Sequence, residues 1–242
     1  MKKLAIGQRT YSNRSLHGQV VHELGKRIVT GDIGEGAVLP NETDLGASFA
    51  VSRTALREGI KVLAAKGLLA SRTRTGTRVR PRTEWNMLDP DVMAWRLSSS
   101  HPAKFLQDLV EFRTAVEPLA AALAAQRATP TDIHAIAAAY DDMVMAGTDV
   151  EAGVEPDLRF HQAIFQSSGN ELLAPLGTLT EAALSMSFRI TTPDLKNMAL
   201  KLHKNVLDAI TVRDPEAASD AMHQLLNMSF ETSSELLDEA GE

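Results

Sequence analysis

Only one stretch of this 242-residue chain alternates in the manner of a β-strand. In "LLASRTRTGTRVRPR", residues 68–82, arginines take turns with threonines around Gly76, which predicts two short strands and a turn. Elsewhere apolar residues recur every three or four positions, the period of helices that bury one face. The expected fold is therefore mainly α with a single hairpin. No charge-free apolar run approaches the roughly 20 residues that cross a bilayer; the longest is "PLAAALAA" at 118–125. The basic start "MKKLAIGQRTYSNRS" has no apolar segment behind it, so a secretory signal is not expected. With no cysteine, disulfides and thiolate metal sites are excluded, which fits a reducing cytoplasm.

The net charge of −6 conceals a division. Residues 1–83 hold 15 Lys+Arg against 6 Asp+Glu, a net of +9, whereas 84–242 hold 10 against 25, a net of −15. A basic head that meets a polyanion and an acidic body with another task account for such a split.

Within the head, "HGQVVHELGKRIVTG" spaces Val20 or Val21, Leu24 and Ile28 helically and stops at Gly31. In "LPNETDLGASF", Asn41 is an N-cap with Asp44 three residues on, opening a short second helix. Ser52 caps a third, whose buried stripe is Leu56, Ile60 and Leu63 and which ends at Gly67. Two short helices separated by a few residues read as a helix-turn-helix. On the third helix Arg53, Arg57 and Lys61 recur every four residues opposite the apolar stripe, with Thr54 near its start. A basic stripe on such a helix suits the DNA major groove, and a hairpin carrying Arg72, Arg74, Arg78 and Arg80 suits a wing on phosphates or the minor groove. Lys66 and Arg82 read instead as solvated surface charges, and Gly59 as a slight softening of the third helix.

The stretch from "GDIGEGAVLPNETDLGASF" through "AVSRTALREGIKVLAAKGLLASRTRTGTRV" resembles the winged helix-turn-helix of the GntR family of bacterial transcription regulators. The resemblance implies base-reading and phosphate-binding roles for Arg53 and Arg57, further phosphate contacts from Thr43, Ser52 and Thr54, and minor-groove contact by the wing around Gly76.

The domain expectation is a flexible arm at 1–15, a winged helix-turn-helix at 16–81, a linker at 82–89 and an all-α body of about seven helices at 90–240. Pro118, inside a long helical pattern, is expected to bend its helix. In "DLRFHQAIF", Asp157 and His161 lie one helical turn apart and point the same way, a spacing compatible with a metal site, an acid/base pair or coincidence. His203 and His223 flank a tight turn at 213–214, each about ten residues away, so an antiparallel hairpin puts them at the same height. Asp157 with three histidines would suit zinc above all, or nickel, manganese or iron, with positions left open for a further ligand.

"DLRFHQAIFQSSGN" and "LHKNVLDAITVRDPEAASDAMHQLL" resemble the FCD effector domain of the FadR subfamily of GntR regulators. That resemblance implies metal ligation by Asp157, His161, His203 and His223, and a small carboxylate effector held by Arg113 and Arg189. An ion pair with Glu117 is the alternative task for Arg113, and Asn170 either lines the pocket or caps a helix. The segment "EWNMLDPDVMAW" resembles the galactonate-type, sugar-acid-responsive members. The expected function is a homodimeric cytoplasmic repressor that reads palindromic operator DNA and senses an organic or sugar acid. A metal-dependent hydrolase or lyase with an attached DNA-binding domain is the alternative.

Overall fold

The computed structural model describes residues 15–72, 76–99, 103–147, 149–177 and 193–239. They fall into two compact units, one ending before the other begins at Ala103.

The head contains α1 (Leu16–Val29), α2 (Glu42–Ser48), α3 (Arg53–Ala65), β1 (Leu69–Arg72), β2 (Gly76–Val79) and α4 (Pro90–Leu97). The expected caps are present: Asn41 Oδ1 accepts from the Thr43 and Asp44 amides, and Ser52 Oγ accepts from the Ala55 amide. Gly67, at φ +79°, leads from α3 into the hairpin; a Cβ there would stand 2.4 Å from the Glu84 carbonyl, so only glycine fits. The strands pair antiparallel, with Leu69 opposite Val79 and Arg72 opposite Gly76. On its other side β2 is joined by the segment before α2: Gly36 N donates to Val79 O, Val79 N to Ala37 O and Leu39 N to Thr77 O. The wing is thereby anchored, along the outer edge of β2, to the segment that leads into α2.

Val20, Leu24 and Ile28 of α1, Leu56 and Leu63 of α3, and Leu69 and Val79 of the hairpin form one core. Trp85, Val92 and Trp95 belong to that same core, so α4 is part of the head. The sequence had placed residues 82–89 as a linker and 90–97 in the body. Two glycines make the close packing possible. A Cβ on Gly25 would lie 2.3 Å from the Trp95 ring, and one on Gly59 would lie 2.8 Å from Val20 Cγ1. Gly59 is the point where α1 meets α3, a packing role that propensity alone does not register.

The body contains α5 (Ala103–Arg127), α6 (Pro130–Met145), α7 (Val150–Ser167), α8 (Pro193–Thr211) and α9 (Pro215–Glu239), five helices among the described residues. α5 continues through Pro118. Thr129 and Asp132 close a reciprocal capping box with Pro130 in the first turn of α6. An alanine stripe on α5 (Ala120, Ala121, Ala124, Ala125) packs with Phe160 and Ile164 of α7, Val206 and Ile210 of α8, and Met222 and Leu226 of α9. No described helix is long and apolar enough to cross a membrane.

Candidate DNA interface and metal centre

Thr43, Ser52, Arg53, Thr54, Arg57 and Lys61 are all exposed, on α2 and along α3. Ser52 already serves as the α3 cap, and Arg53 Nη2 donates to Thr43 Oγ1 at 3.3 Å. Gly76 takes φ +80° at the wing turn. Arg78 donates to the Gly36 carbonyl, which gives it a structural task between the wing and the segment before α2. Arg74 and the side chain of Arg72 lie outside the described residues.

Lys66 departs from its reading as a solvated charge. It is 5% exposed, and its Nζ lies 2.8–2.9 Å from Asp89 and 2.9 Å from Asp91. Because Lys66 is the C-cap of α3 and Asp89 the N-cap of α4, this buried cluster ties the two helix ends together.

In the body, Asp157, His161 and His203 converge, each offering a ligand atom within 4.8 Å of the others. All three are buried. His203 Nδ1 is 2.7 Å from the Ala199 carbonyl, which can only accept, so this nitrogen carries the proton. Its Nε2 faces Asp157 Oδ1, 2.7 Å away. His161 Nδ1 approaches Glu117 Oε2 to 2.7 Å, though without hydrogen-bond alignment, and its Nε2 faces Asp157 Oδ1 at 3.6 Å. Asp157 Oδ1 and His203 Nε2 have no hydrogen-bond partner among the described residues. With the imidazole neutral these would be two buried acceptors aimed at one another, and either a proton or a cation between them removes the repulsion. One carboxylate oxygen and two imidazole nitrogens form a donor set that fits a divalent metal. Phe160, fully buried, sets both rings edge-on, with centroids 5.8 Å from His161 and 5.0 Å from His203.

His223 is not in this group. It is exposed on α9, whereas its neighbours Met222, Leu225 and Leu226 face the core. The hairpin argument fixed its height along the helix but not its direction. About 100° per residue turns it away from the side on which Met222 is buried.

Arg113 and Glu117, 2% and 1% exposed, form an ion pair across one turn of α5, with Nε 2.5 Å from Oε1. Sequence reasoning weighed that pair but missed that Glu117 also meets His161. The available signal was register: Val110, Arg113, Glu117, Ala120 and Ala124 follow one buried stripe, where charged residues need partners. Asn170 accepts from the Leu172 amide in the turn beyond α7. Arg189 lies outside the described residues.

Comparison with known proteins accounts for both units. The model for bacterial regulatory proteins of the gntR family matches residues 16–79, and the FCD domain model matches 108–228. The galactonate operon transcriptional repressor of Escherichia coli K12 is 37% identical over 206 residues, covering 84% of this chain and 90% of the repressor. The chain belongs to the GntR family of bacterial regulatory proteins. Another GntR-type relative, the HTH-type transcriptional regulator YieP of the same organism, is 32% identical over 221 residues, covering 90% of this chain and 96% of that protein. The Listeria monocytogenes regulator Lar shares the fold, with a TM-score of 0.65 at 18% identity over 93% of this chain and all of Lar. This GntR protein is thus a DNA-binding transcriptional regulator with an FCD domain, and the hydrolase or lyase alternative falls because these families and relatives are regulators.

The buried charges of the FCD domain carry a pH signature. Burial pushes the Glu117 carboxyl up, but Arg113 and His161 pull it further down, from 4.5 to about 2. Asp157 is likewise lowered: burial raises it, and His203, His161 and Arg113 more than offset that. A carboxyl with a lower pKa in the folded state contributes stability above its unfolded pKa and loses it as pH falls through the folded value. Metal-free protein is therefore expected to lose about 3 kcal/mol from Glu117 between about pH 4.5 and 2. Urea midpoints followed by circular dichroism should fall across that window, and less steeply in Glu117→Gln. Equal slopes in the two proteins would exclude this source.

Proposed function

We propose that this GntR regulator binds operator DNA as a homodimer and changes its operator affinity when a small carboxylate, a sugar acid by likeness to the galactonate operon repressor, binds at a metal in the FCD domain. The observation that carries the reading is the meeting of Asp157 Oδ1 with two imidazole nitrogens in a buried site, where the acceptors lack donors. Asp157, His161 and His203 would hold the ion, zinc first, with nickel, manganese or iron as alternatives. Three protein ligands leave positions open, and a bound divalent ion supplies a Lewis-acidic contact for a carboxylate. The Arg113 Nη1 group makes no hydrogen bond among the described residues and adds a charge-assisted donor; Arg189 is the second candidate arginine. Two copies related by a two-fold axis read a palindrome, with Arg53, Arg57 and Lys61 of each α3 in successive major grooves. Thr43, Ser52 and Thr54 add phosphate contacts.

The test is a gel-shift titration on the upstream intergenic DNA with aldonates, aldarates and small hydroxy acids, before and after chelator treatment. One acid is expected to release the DNA, and only while metal is present. Tight DNA binding that responds to no acid under any metal condition would remove the sensor reading and leave the DNA-binding assignment intact.

A further inference from the structure

We infer that Glu42 is a specificity-determining residue of the DNA interface, because it aims the guanidinium of Arg57. The inference rests on the reading of α3 as the recognition helix. Both oxygens of Glu42, at the first position of α2, receive the Arg57 Nε–H, at 2.8 and 3.0 Å. The helix itself does not need this carboxylate as a cap, because Asn41 Oδ1 already takes the Thr43 and Asp44 amides. Nor is the pair a strong source of stability: the side chains are 64% and 41% exposed, and such surface pairs contribute little. What the contact does fix is orientation. With Nε bound to Glu42, the Nη1 and Nη2 groups make no other hydrogen bond among the described residues, so the two-nitrogen end of the fork is left free on the exposed face of α3. That end is the one able to grip the paired acceptors of a guanine edge.

The negative charge adds discrimination. A carboxylate facing a polyanion disfavours generic approach to phosphates, and it holds Arg57 back from the looser phosphate contacts that serve non-specific binding. Arg53 is held differently, by a neutral hydroxyl. The two arginines thus differ in how far they are committed before DNA arrives.

The experiment uses the full chain. A preferred duplex is first selected by the wild-type protein from a random pool. Affinities for that duplex and for a scrambled duplex of equal composition are then measured across a salt series for wild type, Glu42→Ala, Glu42→Gln, Arg57→Lys and the double variant E42A/R57K. Glu42→Ala is expected to lower the preferred-to-scrambled ratio at least tenfold, to raise affinity for the scrambled duplex several-fold and to steepen its salt slope by about 1. Glu42→Gln, whose amide oxygen still accepts from Nε, should fall between and guards against a fold defect in the alanine variant. The double variant should lose no more specificity than Arg57→Lys alone. Unchanged ratios, equal gains on both duplexes, or additive losses would overturn the assignment. Failure of the wild-type protein to select any sequence would instead overturn the recognition-helix reading beneath it.

Discussion

Lys66→Met is expected to destabilise the head by about 3–5 kcal/mol, the usual cost of removing one partner from a buried charge cluster. Lys66 and Asp91 are each 5% exposed, and Asp89 is only 16% exposed, so the variant would leave two carboxylates with little water and without this ammonium group. For a unit of this size the loss corresponds to a fall in midpoint on the order of 15–25 °C. The chain supplies its own probe, because both of its tryptophans, Trp85 and Trp95, sit in the head core. Tryptophan fluorescence follows the head, while helical circular dichroism is weighted towards the longer helices of the body. The fluorescence transition should move and most of the dichroism transition should not. A variant that also replaces Asp89 and Asp91 with asparagine should recover much of the loss. An unmoved fluorescence transition would mean that the Lys66 cluster does not hold α4 to α3.

That cluster also couples two helix ends. Asp89 Oδ1 accepts from the Asp91 and Val92 amides while Asp89 also binds Lys66, so the start of α4 and the end of the DNA-reading helix share one set of hydrogen bonds. A displacement of α4 therefore acts on the C-terminus of α3. The boundary between the two compact units falls after α4 and not before it.

The contrast with what the sequence revealed has a physical origin. Local signals were legible because they act over three or four residues: Asn41 and Ser52 capped their helices, Gly67 ended α3 with a positive φ, and Gly76 turned the hairpin. The placement of α4 was hidden because its cause is long-range. Trp95 fits against Gly25, seventy residues earlier in the chain, and the salt cluster joins residues 66 and 89. At the candidate site, the i,i+4 pairing of Asp157 with His161 was legible from helical period alone, and in the structure His203 lies beside them. His223 stands apart from them because matching heights along a hairpin say nothing about azimuth. Glu117 was missed as a partner of His161 because the contact crosses between α5 and α7.

His203 and His223 therefore provide opposite expectations from two residues of the same type, one in the site and one outside it. His203→Ala removes one of three donors and should weaken metal binding well beyond the 10–100-fold typical of losing an outer partner. Because a ligand that binds only the native state stabilises it by RT ln(1 + [L]/Kd), about 2.7 kcal/mol at a hundredfold excess over Kd, added zinc should raise the wild-type unfolding midpoint and leave the His203→Ala midpoint nearly unmoved. The acid-dependent release of DNA should disappear with it. His223→Ala, by contrast, alters an exposed side chain and should change zinc affinity less than about threefold, within the range of surface substitutions. Zinc titration of chelator-treated protein, read both by calorimetry and by thermal unfolding, separates these outcomes. Loss of zinc binding in His223→Ala would show that the ion draws α9 into a different packing and that the three-donor site is incomplete. Retained binding in His203→Ala would remove the metal from the proposal and return Asp157 and His203 to a buried, proton-bridged pair that serves the fold.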